Sequence, residues 1–295
     1  MFKIKQILAT AIMVSATLGA QAQSLPIPQP SPTATITQAF ATGNIELSYS
    51  RPSMKGRKIF GDLVPFGSVW RTGANGATTI AFGDTVTIGG TVIPKGKYGL
   101  LSIPGETEWT IIISKDATVN DPANNYKQTN DLVRVKVKPI ALSEITESFT
   151  IEVNNIKSTS AEVCLRWDKT AVAFTVNANI DAKIMTAIDK EMAMDKRPYF
   201  QSASYYFENG KDLNKAYEWI GVAAKNRPDA YWVLLLKAKI EAKLGKLNDA
   251  VATATESRRL ADADKDLSYV KQNDALLAEI KANPLYKELP GKKKK

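Results

Sequence analysis

The sequence predicts an α+β chain in two domains: an antiparallel β-sandwich or barrel over residues 33–179, then a tetratricopeptide-like unit of α-helical hairpins over residues 180–285. Three observations carry this. Apolar and polar residues alternate with period two from Thr33 to about Asn179, in short runs separated by turn residues. After Asp181 the apolar period becomes helical. Within that second half, Ala216 and Ala250 lie 34 residues apart with similar surroundings, the period of a helix–turn–helix repeat.

The β elements follow in order. Ile45, Leu47 and Tyr49 alternate with Glu46, Ser48 and Ser50. Residues 85–93, 97–103 and 109–114 are rich in β-formers and are divided by Gly89-Gly90, Pro94-Lys95-Gly96 and Pro104-Gly105. Val133, Val135 and Val137 alternate with Leu132, Arg134 and Lys136, and runs at 146–153 and 160–167 follow. Asp168-Lys169 reads as a tight turn into a last strand at 171–176. About nine short strands with no helical pattern between them argue against a parallel βαβ fold.

The helical half begins with a stripe of Ile184, Ala187, Ile188 and Met192. Pro198 opens a second helix that Asn209-Gly210 closes, and Asp212 caps a third with Ala216, Ile220 and Ala223 inward. Arg227-Pro228-Asp229 breaks the chain before a helix at 230–244, which Gly245 stops. Asn248 is the expected cap of a fifth helix, and a sixth spans 267–282, ahead of Asn283-Pro284. Ala203 and Ala238 each precede the closing glycine by seven residues, so small residues recur where paired helices cross. Two such repeats are fewer than the three or so that stand alone, so flanking helices or the β domain are expected to cover them.

Residues 1–22 have the three zones of a secretory signal peptide: Lys3 and Lys5, an apolar run at 7–18, and the small-x-small site Ala20-Gln21-Ala22. The run is shorter than the roughly 20 residues that span a bilayer. The mature chain is therefore expected to be exported, periplasmic or extracellular, and soluble, with no transmembrane segment. The sole cysteine, Cys164, permits neither a lipid anchor at the cleavage point nor an internal disulfide. Prolines at 26, 28, 30 and 32 mark residues 23–32 as an extended linker, and residues 286–295 form a basic tail.

The net charge of +9 is mostly peripheral. The leader carries two lysines and the tail four, which leaves +3 between them. That is no nucleic-acid footprint. The chain contains no histidine, which removes Ser-His-Asp and Cys-His catalysis and histidine metal ligation. A single cysteine builds no zinc or iron–sulfur centre. No catalytic set, metal site or cofactor is expected. The oxygen-rich stretch Asp116, Asn120, Asp121, Asn124 and Asn125 lacks EF-hand spacing and reads as Asx turns.

One segment stands apart. Residues 51–75 carry Arg51, Lys55, Arg57, Lys58 and Arg71 against Asp62 alone, a net +4, whereas the rest of the β domain is slightly acidic. Recurrent Gly and Pro make it a long loop, while Ile59, Phe60, Leu63, Val64, Phe66 and Trp70 give it apolar anchors. Arginine forks suit carboxylate, phosphate or sulfate, and an indole suits a sugar face. Arg51, Lys55, Arg57, Trp70, Arg71 and Asn75 are accordingly the candidate ligand-binding residues, for a small anionic or saccharide ligand. The competing reading is that the arginines pin the loop through carbonyls and acids.

Ser50–Asn75 reads S-R-P-S-x-K-G-R-x-I-F-G-x-L-V-P-x-G-x-V-W-R-T-G-A-N. I-P-K-G-K-Y-G-L follows at 93–100, and I-P-G-x-x-x-W-T-I-I at 103–112. These motifs resemble domain-of-unknown-function family 2911 over roughly residues 33–178. The resemblance implies an exported bacterial protein with a helical tail and no established activity.

The leading expectation for function is a non-enzymatic binding protein, with the β domain holding the ligand and the helical repeats contacting a protein partner. The alternatives are a histidine-free carbohydrate-active enzyme using carboxylates with Arg and Lys, and a structural envelope scaffold. The enzyme would need two acids facing each other across a cleft, and Glu106/Glu108, Asp116/Asp121 and Glu144/Glu147 are the pairs to locate.

Overall fold

The computed structural model describes residues 28–194 and 197–287. The leader, the first half of the linker and the four-lysine terminus lie outside the described residues. The chain divides into two compact units at Ile180/Asp181.

In the β unit, β1 (Thr33–Phe40) and β2 (Gly43–Ser50) form a hairpin in which Phe40 pairs with Gly43. Ala41, at φ +56°, occupies the first position of its two-residue turn, and the buried Asp84 carboxylate accepts from the Thr42 amide at 3.0 Å and hydroxyl at 2.8 Å. The remaining strands are β3 (Thr79–Phe82), β4 (Val86–Ile88), β5 (Thr91–Ile93), β6 (Gly96–Ile103), β7 (Trp109–Ser114), β8 (Asp131–Val137), β9 (Ile140–Asn154) and β10 (Ser160–Ala178). They make a six-stranded sheet ordered β1-β2-β3-β6-β7-β8 and a four-stranded sheet ordered β5-β4-β10-β9, and every named pairing is antiparallel. One core joins the two inner faces: Ile45, Leu47, Ile80 and Ile111 from the first sheet meet Ile88, Ile151, Val163 and Val176 from the second. Among the described residues no strand pairs across the two sheets, so the fold is an open sandwich and not a closed barrel. A second, small cluster of Leu101, Ile112 and Val119 forms apart from that core, with Val69 and Tyr126 packed against it.

Asp168-Lys169 is not a turn. Residues 160–178 form one strand, with Asp168 in the left-handed region at φ +54° and register shifts against β9 on both sides of it. The apolar residues explain why. Val163, Leu165 and Trp167 are buried before the bend, and Val172, Phe174 and Val176 after it. The buried set switches from odd to even positions, and an irregular residue is what lets both halves face one core. Both flanks then pair with β9, which is longer than the run at 146–153 implies, and ten strands are present where about nine are expected.

The helical unit contains α1 (Asp181–Met192), α2 (Tyr199–Glu208), α3 (Leu213–Asn226), α4 (Tyr231–Lys243), α5 (Leu247–Ala263) and α6 (Leu267–Ala282) among the described residues. The 34-residue repeat corresponds to α2–α3 and α4–α5, followed by α6. Ala203, Ala216, Ala238 and Ala250 are each fully buried, so the repeated small residues lie inside the packed unit. Asp212 caps α3 by accepting from the amides of Asn214 and Lys215, and Asp266 does the same for α6 with Ser268 and Tyr269. Gly245, at φ +76°, ends α4 in a conformation that favours glycine. Asn248 is not the cap of α5: the helix starts two residues earlier, and Lys246 holds that position without a side-chain bond. No helix among the described residues is long and apolar enough to cross a membrane.

Candidate functional site

The loop between β2 and β3 is built around its apolar residues. Ile59 and Val64 are buried, and the Val64 amide donates to the Ile59 carbonyl at 2.9 Å, which closes a tight turn. Gly61 lies in that turn at φ +84°, and a Cβ there would meet the Phe66 ring at 2.6 Å. Phe60 places its ring edge-on to Trp109 at 4.8 Å. Trp70 stacks on Trp167 at 5.9 Å and meets Phe149 edge-on at 5.0 Å. Its Nε1 donates to the Gly73 carbonyl at 3.0 Å, and its backbone bonds both ways with Ser102. The indole thus completes the sandwich core at this end.

The cations of the loop split into two groups. Arg51 donates from Nε to the Phe149 carbonyl at 3.1 Å and from Nη2 to Thr150 Oγ1 at 2.9 Å, which ties the loop to β9. Arg71 donates from Nη1 to the Asn120 carbonyl, tying it to the segment after β7. Asn75, at φ +55°, donates to the Ser31 carbonyl at 3.1 Å. Arg57 wraps back on its own loop, donating to the carbonyls of Met54 at 2.9 Å and Ser53 at 2.7 Å. Lys55, Arg57 and Lys58 are exposed, and no ion pair to them is found among the described residues. The Lys55 amide, not its side chain, contacts Glu147, at 2.9 Å. The six candidate residues therefore do not converge on one cavity. Arg51, Trp70, Arg71 and Asn75 engage protein atoms in separate places, and Lys55 and Arg57 remain at the surface. A small cavity of about 190 Å³ adjoins Asn75, lined by Ser31, Thr33, Ser48 and Ser50.

The carboxylate pairs are likewise dispersed. Glu108 pairs with Lys136 at 2.7 Å, Asp116 accepts from the amide and hydroxyl of Thr118, Asp121 accepts from Asn124, and Glu147 is held at Lys55. The Asp116 bonds hold its carboxyl below the usual range and make the Asx turn that the sequence implies. Burial pushes the Cys164 thiol up, and the nearby Glu152 carboxylate adds to that, so the thiol is not activated.

One concavity is announced by no local motif. In the helical unit a groove of about 530 Å³ opens between Phe207 at the end of α2, Lys239, Ala242 and Lys243 on α4, and Gln272, Ala275, Leu276 and Glu279 on α6. The first helix of each hairpin and α6 supply most of this lining, and Leu247 at the start of α5 completes it. Lys243 Nζ lies 5.6 Å from the centroid of the Phe207 ring, which fixes one wall. Ala242 and Ala275, being small, leave the floor open. The contributing residues recur about 35 positions apart, so only the repeat period pointed to this surface.

An open antiparallel sandwich closed by a long basic loop, followed by tandem helical hairpins, defines a two-unit chain with no recognised catalytic constellation among its described residues. Residues 31–176 match the family described as a protein of unknown function (DUF2911), and the β unit belongs to that family. No curated protein and no solved structure matches the chain.

Proposed function

We infer that the chain is an exported binding protein whose helical unit seats a segment of a partner protein in the groove between α2, α4 and α6. The groove itself carries this reading. It presents an apolar floor at Leu276 and Ala275, two cations at Lys239 and Lys243, and an acid and an amide at Glu279 and Gln272 on the opposite wall. An extended peptide needs that combination: apolar pockets for anchors and polar groups for orientation. Export is supported by the n-, h- and c-zones of residues 1–22.

The test is selection of a random peptide library on the immobilised full chain, repeated with Ala275→Arg, a change at an exposed position that fills the groove. Peptides enriched on wild type should lose at least about tenfold in affinity for the variant, a cost of some 1.4 kcal/mol. Enrichment of nothing on wild type, or equal binding by the variant, sinks the reading.

A second reading assigns the exposed Lys55, Arg57 and Lys58 to an anionic ligand. Its support is their lack of acidic partners among the described residues. Replacing Lys55 and Lys58 by Ser should abolish any thermal shift seen with sugar acids, glycans or inorganic phosphate, while Arg71→Ala should lower the baseline melting point itself.

A further inference from the structure

Sheet edges are sites of association unless something blocks them, and the β unit treats its four edges differently. The edge of β9 is covered by the basic loop: the Met54 amide donates to the Glu147 carbonyl and the Phe149 amide to the Pro52 carbonyl, both at 2.9 Å, with a bridge between Ser53 and Ser148. The edge strand β5 is only three residues long. The edge strand β8 carries Asp131, Arg134 and Lys136 in seven residues. The remaining edge, β1, has none of these protections. It runs eight residues, TATITQAF, with no charge and no proline, and among the described residues no strand pairs with its outer side.

From this contrast we propose that β1 is a homodimer interface, pairing antiparallel with β1 of a second copy to make one continuous sheet. The register follows from the hairpin. In a two-residue hairpin the residues flanking the turn exchange hydrogen bonds, so Phe40, Gln38, Ile36 and Ala34 bond to β2. Thr33, Thr35, Thr37 and Ala39 then direct their amides and carbonyls outward. Among the described residues, the one partner recorded for these groups is the Gln38 side chain, which donates to the Ala39 carbonyl at 3.0 Å.

A two-fold axis through Ile36 pairs Thr35 with Thr37 of the second copy and Thr33 with Ala39, for about eight backbone hydrogen bonds. Chemistry agrees on both faces. Ala34 and Ile36 pack against the sandwich core, so Ile36 meets its own copy as an extension of that core. The exposed Thr35 and Thr37 make Thr–Thr cross-strand pairs, which are favourable. A neutral strand suits a copy of itself, because no like charges oppose across the axis. The equivalent pairing of β8 would set Arg134 against Arg134. The contact is isologous and closes at two subunits.

Sedimentation velocity of the full chain should show a dimer at micromolar concentration. Thr35→Lys with Thr37→Lys places two like-charged pairs across the axis at exposed positions, and Thr35→Glu with Thr37→Glu does the same with the opposite sign. Each double variant should be monomeric with an unchanged circular dichroism spectrum, and an equimolar mixture of the two should recover the dimer. Loss by misfolding would not be rescued by mixing. A monomeric wild type up to about 1 mM, a dimer that persists in either double variant, or failure of the mixture to associate would each overturn the proposal.

Discussion

The loop at residues 51–75 and the groove of the helical unit are both rich in cations, yet they use them in opposite ways. In the loop, Arg51 and Arg71 spend their donors on the carbonyls of Phe149 and Asn120, residues distant in sequence. A planar fork with fixed donors suits that task, because it holds two chain segments in register. In the groove, Lys239 and Lys243 line open space, and Lys243 lies over the Phe207 ring. The lesson is that a dense charge cluster in a sequence marks a constrained backbone as readily as it marks a ligand. Two lysines a helical turn apart make the more accessible surface.

The largest way to break this contrast is at Trp70. Its ring is surrounded by Trp167, Phe149 and Phe60, so Trp70→Ala should destabilise the β unit by about 3–5 kcal/mol, the cost of deleting a large core aromatic. Urea unfolding followed by tryptophan fluorescence measures this. A loss below about 1 kcal/mol would mean that the indole is not structural and would return it to candidacy as a stacking platform.

A smaller effect is expected inside the helical repeat. Ala216 is fully buried, and Ala216→Leu forces extra volume into a filled site, at a cost of about 1–3 kcal/mol. Helical ellipticity against urea reads it. A neutral result would show that the small residue is not required by the packing and would weaken the repeat as the organising feature of the unit. Arg51→Met comes next. It keeps the aliphatic stem but removes the bonds to Phe149 and Thr150, which is worth about 1–2 kcal/mol at a half-exposed site. Hydrogen exchange should speed up locally at Phe149, whose amide the same loop holds through the Pro52 carbonyl. An unchanged rate there would remove Arg51 from its pinning role.

These residues also show how far the sequence could be read. Alternation in β2, the break at Gly89-Gly90, the Asp212 cap and the 34-residue spacing are local signals, and each corresponds to an observed feature. The bend at Asp168 was misread because a left-handed residue looks alike in a turn and in a bulge. Only the parity of buried residues on either side distinguishes them. Sequence chemistry misplaces the cap of α5 because Asn248 has the right side chain two residues too late, and a helix end without a capping bond leaves no signature. The partners of Arg51 lie 98 and 99 residues away, beyond any pattern in the neighbourhood of the loop. The groove leaves no local pattern for the same reason, since helices distant in sequence contribute to it.

The smallest effect separates the two units by the sign of their response to acid. In the β unit, Asp131 lies largely inside the protein, and desolvation raises its pKa above the ordinary value, against the Tyr126 hydrogen bond at 2.6 Å and the Arg134 guanidinium, which pull the other way. Its ionised form is therefore penalised on folding. The native state binds the proton more tightly, so this group's penalty is greatest above its folded pKa and is relieved as pH falls through that value. Asp181 in the helical unit is the reverse. The hydrogen bond from Lys211 at 2.8 Å, and then that from Tyr205 at 2.9 Å, hold its carboxyl below the usual range. Its contribution is present above the unfolded pKa and is lost as pH falls through the lower folded one. Acidification should therefore favour the β unit through Asp131 and disfavour the helical unit through Asp181. Carboxyl carbon NMR titration should place Asp131 above Asp181, and Asp131→Asn should flatten the acid limb of β-unit stability while Asp181→Asn flattens that of the helical unit. Equal titration of the two carboxyls would show that burial at Asp131 is offset by its Tyr126 and Arg134 partners, and the two units would then not differ in acid through these groups.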